Sequence, residues 1–533
     1  MRKGCRDRAL LEDLARPEAY PAPRPSAIDV ITTHSSWVFI TDGEVWKVKR
    51  PVDYRFLDYS TLDRRRHFCH EEVRVNRRLA ADVYLGVAPV RLDNKRHSFT
   101  SEGTVVDYAV RMRRLPQSAS AESLLAHGHL SHEHLSRLAG RLAAFYAASP
   151  PSARADALDV LRANVVENFA QVQPFIGRFV EPETFEAVRT WQLGCLTRAA
   201  RTFEERQEQG RIRDGHGDLR LEHVYFERDE PIVIDAVEFD ERFRVADVAA
   251  DVAFLAMELD ARSRPDLAAN FLAAFARESA DYNLYAVVDF YLSYRAWIRG
   301  KVASLLAADP ATGSEKAQRK SGEAERLFAL ARTYCQPRVE LAPVVAVGGL
   351  IGAGKSTLAR ALGEFLSIPI VDSDRTRKTL AGVPATMQAP AGAYTEAFTR
   401  QTYDELFRRA DVVLGSGRGV ILDATFRDRD LRLRARALAI RHGRSFRFVE
   451  AVCDDATLRA RLQARAAAGV SVSDATEGLL EGFRREFEPV TELTTVEHVT
   501  VRTTLPMSMQ VHAVYSTLAH NGRSSDATKE NVT

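Results

Sequence analysis

The chain has 533 residues, 45% of them hydrophobic, which is enough for about three compact units with real cores. Its 74 basic and 72 acidic residues leave a net charge of +2, a balance that argues against a general nucleic-acid or membrane-surface binder. Five scattered cysteines without a CxxC spacing exclude a zinc ribbon or a redox pair and read as reduced thiols. The first residues, MRKGCRDRALLEDLARPEAYP, lack the apolar core of a signal peptide, and no window approaches the length of an apolar membrane span. A cytoplasmic protein is expected.

In chain order, SSWVFI and EVWKVKR alternate around Thr41-Asp42-Gly43 and predict a β-hairpin. The two-residue period places Lys47 and Lys49 on one face of its second strand. A helical stretch, RRRHFCHEEVRVNRRLA, follows with Glu71 and Glu72, and then two strand-like runs, YLGVAPV and TVVDYAVRMRRLP. Beyond Pro116 helices predominate. The four histidines of HGHLSHEHL lack the HExxH register, and Ser131 reads there as the N-cap of a helix rather than part of a metal site. Two short apolar strands, HVYF and PIVID, predict a second hairpin that gathers His216, Asp218, His223 and Asp235. Two carboxylates about 17 positions apart, one in a loop and one at a strand end, suit a Mg²⁺-phosphate site. Helices resume to about Cys335, among them the aromatic-basic stretch YLSYRAWIRGK, expected to pack without a catalytic role.

The lysine hairpin, the acidic helix, HGDxxxxH and IDxxEFD together resemble the aminoglycoside-phosphotransferase-like branch of the protein-kinase fold, over residues 25 to 335. The resemblance implies that Lys47 holds the α/β-phosphates with Glu72 as its helix partner, Glu71 being the second choice. It implies Asp218 as catalytic base and Asp235 as magnesium ligand. The family's second metal ligand is an asparagine, and His223 stands in its place. Mg²⁺ prefers oxygen donors, so the departure leaves open a weak kinase, a one-metal kinase or a module that only binds nucleotide.

Residues 336–343, QPRVELAP, read as a linker. The stretch VVAVGGLIGAGKSTLARAL then runs a buried strand into a glycine-rich loop and a helix, the signature of a phosphate-binding loop. Gly349, Leu350, Ile351, Gly352, Ala353 and Gly354 are expected to cradle phosphates with backbone N–H groups, Lys355 to reach the outer phosphates, Ser356 to ligate Mg²⁺, and Thr357 to complete the loop. Alternating strands and helices predict a parallel sheet, with Asp374 after IPIVDS and Asp423 in GVILDATF facing Lys355 and Ser356 across one crevice. Asp423 is the candidate magnesium partner, Asp374 the general base and Arg377 the acceptor clamp. Arg461 and Arg465, four apart on one helix, are candidates for a lid pair on the transferred phosphoryl group. The arginine run from Arg427 to Arg447 has no interleaved aromatics and reads as a solvated helix.

These motifs resemble the small P-loop kinases related to gluconate and shikimate kinases, and more distantly the zeta-toxin and polynucleotide 5′-kinase groups, over residues 343 to 500. The whole chain resembles bacterial two-domain proteins in which a phosphotransferase-like module precedes a P-loop kinase. The expectation is therefore a mixed α/β and α+β chain, a bilobal protein-kinase-like fold over 1–335 followed by a P-loop αβα sandwich over 344–505, with a disordered tail at 506–533. It is expected to use ATP and Mg²⁺, to act on a small hydroxyl-bearing metabolite or a nucleotide-like acceptor, and to have no membrane or nucleic-acid partner. The alternative is a nucleotide-regulated switch with an N-terminal pseudokinase.

Overall fold

The computed structural model describes residues 3–54, 57–154, 156–310, 312–338, 342–468 and 472–519. The chain divides into two compact units, one of residues 1–167 and 199–258, the other of residues 168–198 and 259–533.

The first unit opens on a six-stranded antiparallel sheet in the order Asp29–Thr32, Ser36–Ile40, Glu44–Lys49, Thr104–Arg113, Tyr84–Asp93, Arg96–Ser98. The hairpin expected around Thr41-Asp42-Gly43 supplies its second and third strands, closed where the Thr41 N–H donates to Glu44 O at 2.8 Å. One face of the sheet packs Trp37, Phe39, Trp46 and Val48 against Leu10 and Leu14 of the helix Lys3–Leu14. The helix Leu62–Asn76 is capped by the Thr61 side chain and lays Cys69 and Val73 against Tyr84, Val110 and Met112. Burial of these side chains at about 1.5–3 kcal/mol each is what holds helix to sheet. The second hairpin, Val224–Glu227 with Glu230–Val233, forms in register Val224↔Val233. Ser131 caps the helix His132–Ala148 in a capping box with His134, which accounts for the histidine-rich stretch.

In the second unit a five-stranded parallel sheet runs in the order Ile370–Asp372, Val420–Asp423, Val344–Gly348, Phe446–Val452, His498–Arg502. Val345, Val347, Ile421, Val449 and Val501 point to the face covered by Leu358 and Leu362 of the helix Lys355–Leu366. The same cluster takes Val511 and Val514, and this corrects the expectation of a disordered tail: Met507–Ala519 is a helix on the sheet. Met507, Val511, Val514 and Leu518 repeat every three or four residues, an apolar stripe that the polar composition of the last residues had masked. Residues 520–533 of that expected tail lie outside the described residues, as do residues 339–341 of the expected linker. The stretch YLSYRAWIRGK falls in the helix Val288–Ala308, with Trp297 fully buried. Among the described residues no helix is long and apolar enough to cross a membrane.

Candidate functional sites

The strand Val344–Gly348 is buried throughout and delivers the chain into the glycine loop. Gly349 sits at φ +125°, where an added Cβ would lie 2.4 Å from Ala451 O, and Gly354 at φ +90° starts the helix Lys355–Leu366. Side chains are excluded at these positions, so the loop presents backbone to a ligand. Ile351 and Ala353 anchor it by packing against Leu458 and Leu462. Lys355 Nζ donates to Leu350 O at 2.8 Å, and burial draws its pKa below the ordinary value against the pull of Asp423 and Asp374. The Ser356 hydroxyl donates to Asp423. Burial pushes the Asp423 carboxyl up to about 7; the charges of Asp372 and Asp374 add to this, while Ser356 and Lys355 oppose it.

Asp372 stands directly opposite Asp423 in the parallel pairing of their strands. It also caps the next helix, Ser373–Leu380, by accepting the Arg375 N–H at 2.7 Å. The strand therefore ends two residues earlier than its sequence suggests. Asp374 is in the first helical turn rather than at the strand end, near enough to act on Lys355. Burial raises the Asp372 carboxyl as well. Sequence reasoning passed over Asp372, although its place at the end of an apolar run was the available signal.

Two expected arginine roles look different in three dimensions. Arg377 is buried, with Nη1 bonded to Ala393 O and to Thr399 Oγ1 and its guanidinium 5.0 Å from the Tyr394 ring centroid. It thus ties its helix to residues 393–399. Arg461 and Arg465 do not act as a matched pair. Arg461 donates to Thr503 Oγ1 and Thr503 O, both at 2.9 Å, and Thr503 in turn donates to Ala353 O at 2.6 Å, so Arg461 braces the phosphate loop from behind. The charge of Arg465 acts on Lys355. Thr357 is exposed at the start of the helix.

In the first unit the lysine hairpin and the acidic helix meet as expected, but through both lysines. Lys47 Nζ lies 3.0 Å from Glu72 Oε1, and Lys49 Nζ lies 2.6 Å from Glu72 Oε2. Lys49 also pairs with Glu238, to which Tyr59 donates. Glu71, the second choice, turns outward to Arg74 at 2.7 Å and takes no part, because it lies one position round the helix. Lys47 Nζ reaches Asp235 Oδ1 at 2.7 Å. Burial alone would raise the Asp235 carboxyl, but Lys47 and His223 outweigh it and hold the group well below the usual carboxylate range. Asp235 occupies φ +63°, a left-handed conformation that a non-glycine residue adopts only when its surroundings impose it. Its N–H donates to Tyr84 Oη at 3.0 Å.

The HGD loop is held by a residue that sequence reasoning missed. Asp251 accepts the His216 N–H at 2.6 Å, the Gly217 N–H at 2.9 Å and the Tyr146 hydroxyl at 3.1 Å. His216 donates from Nε2 to Ile234 O at 2.9 Å, linking the loop to the segment that carries Asp235 just past the strand Glu230–Val233. His223 donates from Nδ1 to Asp218 O at 2.8 Å, leaving Nε2 3.6 Å from Asp235 Oδ2. The imidazole braces the loop that carries Asp218.

Hydroxyl, carboxylate and backbone N–H donors around Lys355 fit a magnesium-bound polyphosphate. Among the described residues no group of three or more His, Cys, Asp or Glu side chains is placed to hold a metal ion by itself.

A model of the phosphotransferase enzyme family matches residues 17–293, and a model of an AAA domain matches residues 344–490. An uncharacterized protein of Mycobacterium tuberculosis (strain H37Rv) is 31% identical over 432 residues, 79% of this chain and 83% of that protein. A counterpart in Mycobacterium bovis matches to the same extent. Among solved structures, the GDP complex of aminoglycoside 2′-phosphotransferase-IIIa is 13% identical, covering 60% of this chain and 98% of that one at a TM-score of 0.36. A gluconokinase from Sinorhizobium meliloti is 19% identical, covering 36% and 99% at a TM-score of 0.27. The chain belongs to the phosphotransferase enzyme family, and an AAA domain follows the stretch that carries that match.

Proposed function

We propose that the chain is a cytoplasmic ATP-dependent phosphotransferase whose P-loop domain transfers the γ-phosphoryl group to a hydroxyl of a small-molecule acceptor. The observation that supports this most is the convergence of Lys355, Ser356, Asp423, Asp372 and Asp374 where the parallel strands end, the position at which sheets of this kind take their ligands. The loop N–H groups and Lys355 receive the phosphates. Ser356 and Asp423 would hold Mg²⁺, which when bound supplies charge neutralisation at the β- and γ-phosphates. Asp374 accepts the proton of the acceptor hydroxyl as its oxygen bonds to the γ-phosphorus and the bond to the β-phosphate oxygen breaks, releasing ADP. The test is ADP release and phosphorylated product with a panel of hydroxylated metabolites. A panel-wide failure of the intact chain to turn over ATP defeats the reading.

A second reading, for the first unit, rests on a specific contact. The Lys47 ammonium already neutralises Asp235 at 2.7 Å, and His223 replaces the expected amide ligand, which supports a module that holds nucleotide without fast transfer. Binding stoichiometry of a non-hydrolysable ATP analogue, measured on the intact chain and on Lys355→Ala, separates the two. A fall from two sites to one supports nucleotide at both modules, and a fall from one to none removes it from the first unit.

A further inference from the structure

The strand that carries Asp372 is the outermost of the parallel sheet and only three residues long, Ile370–Asp372. So short a strand has few ladder bonds of its own, and a slip of one residue would turn Asp372 to the opposite face. Its outer side is closed by a residue from far upstream: the Tyr282 hydroxyl donates to Ile370 O at 2.6 Å, with Tyr282 only 3% exposed. Four residues before Tyr282, Glu278 accepts from Arg375 Nη1 at 3.0 Å, on the helix that Asp372 caps. Arg277 pairs with Glu278 at 3.2 Å, and its charge acts on Asp372.

The neighbouring helix of the P-loop domain, Glu396–Gly415, is pinned by the same segment. Arg409 lies 5.3 Å from the Tyr282 ring centroid and donates to Thr376 Oγ1 at 3.2 Å, while Arg408 donates to Asn283 Oδ1 at 3.0 Å. Further on, Asp289 takes Arg418 at 2.7 Å, just ahead of the Asp423 strand. Residues 277–289 belong to the stretch matched by the phosphotransferase family model, not to the stretch matched by the AAA domain model. They nevertheless lie in the same compact unit as the P-loop.

We infer that Glu278 and Tyr282 are positioning residues of the P-loop acceptor site. The upstream segment is the fixed wall that sets the register of Ile370–Asp372 against Val420–Asp423, and with it the placement of Asp372 and Asp374 before Lys355. Neither residue touches the reacting atoms. The P-loop domain of this chain borrows one edge of its active site from the phosphotransferase-family segment, so its acceptor side is not complete within residues 344–505. The inference rests on reading that crevice as a phosphotransfer site.

The experiment uses the full chain with Tyr282→Phe, Glu278→Gln, the single reversals Glu278→Arg and Arg375→Glu, and both reversals together. Hydrogen exchange is followed at the amides of residues 370–380 and, as an internal control, of residues 355–366. The β,γ-imido analogue of ATP with Mg²⁺ is the binding probe, and kcat and KM of ATP turnover with water as acceptor are recorded. Exchange at 370–380 is expected to rise about tenfold in Tyr282→Phe and Glu278→Gln while 355–366 stays unchanged. Analogue affinity should stay within about twofold, and turnover should lose kcat with KM little changed. The double reversal should restore exchange toward wild type where each single reversal does not. Unchanged exchange at 370–380 in both Tyr282→Phe and Glu278→Gln, or a double reversal no better than its singles, overturns the inference. If Tyr282→Phe does not fold, Glu278→Gln and the reversal pair decide it. Should the wild-type chain show no Lys355-dependent analogue binding, the phosphotransfer reading fails, and the exchange contrast still decides whether the segment sets the strand.

Discussion

Asp372 and Asp423 face one another across two parallel strands, both at the carboxyl end and both pushed upward by burial. Two like charges so placed in a poorly solvated crevice disfavour each other's ionisation, and Lys355 and Ser356 offset this only in part.

The pH dependence follows from the sign of the Asp423 shift. Its folded pKa, about 7, lies above the ordinary 3.8, so over the window between these values the folded chain holds more protons than the unfolded one. The stability contribution is full below the ordinary value and is lost as pH rises through about 7. In the proposed site magnesium-nucleotide binding has the opposite slope, because Asp423 would hold the ion as a carboxylate. Below pH 7, affinity of the Lys355 site for the imido analogue with Mg²⁺ should fall by up to about tenfold per unit, with proton release on binding. Asp423→Asn should weaken binding and flatten the profile. A profile of Asp423→Asn identical to that of wild type would assign the titration to another group.

Lys355→Ala removes the ammonium that the proposed site sets against the outer phosphates. Turnover by the P-loop domain is expected to drop by at least about a hundredfold, with the fold intact by circular dichroism. Full activity in this variant would defeat the assignment of the phosphate loop.

The two hairpin lysines should separate in their effects. Lys49 is almost fully buried between Glu72 and Glu238, so Lys49→Met leaves buried carboxylates without their ammonium and should cost about 3–5 kcal/mol, read as a large fall in denaturant midpoint. Lys47 is more open and bonded to Asp235. Lys47→Met, in the Lys355→Ala background, should weaken analogue binding by more than it lowers the melting temperature. Equal behaviour of the two variants would refute this division of labour.

The helix Met507–Ala519 can be tested without any ligand. Val514 is fully buried against the sheet, and Val514→Ala should cost about 1–3 kcal/mol in denaturant unfolding. A loss below about 0.5 kcal/mol would mean that the helix adds nothing to the core.

Short-range signals made much of this molecule legible. The glycine loop was readable because its glycines, lysine and serine occupy neighbouring positions in the chain, and the antiparallel sheet because alternation along one strand reports its burial. The pairing of Glu72 with Lys47 was implied by the family resemblance, and only the structure added Lys49 to it. The edge strand His498–Arg502 was harder, since only Val501 is buried along it and no alternation stands out.

The sequence by itself determined the glycine-loop and HGD motifs, the strand and helix periods and the order of the modules, all properties of residues near one another in the chain. Only the tertiary structure decided which charges meet. It joined Lys47 to Asp235 and Lys49 to Glu238, put Asp251 beneath the HGD loop, and turned Arg461 toward Thr503 and Arg377 toward Ala393. It also laid Tyr282 along the edge of a sheet that begins far downstream. Such partners are chosen by packing: a buried charge or carbonyl must be paired with whatever group the fold brings within hydrogen-bonding distance, and no local pattern encodes that distance.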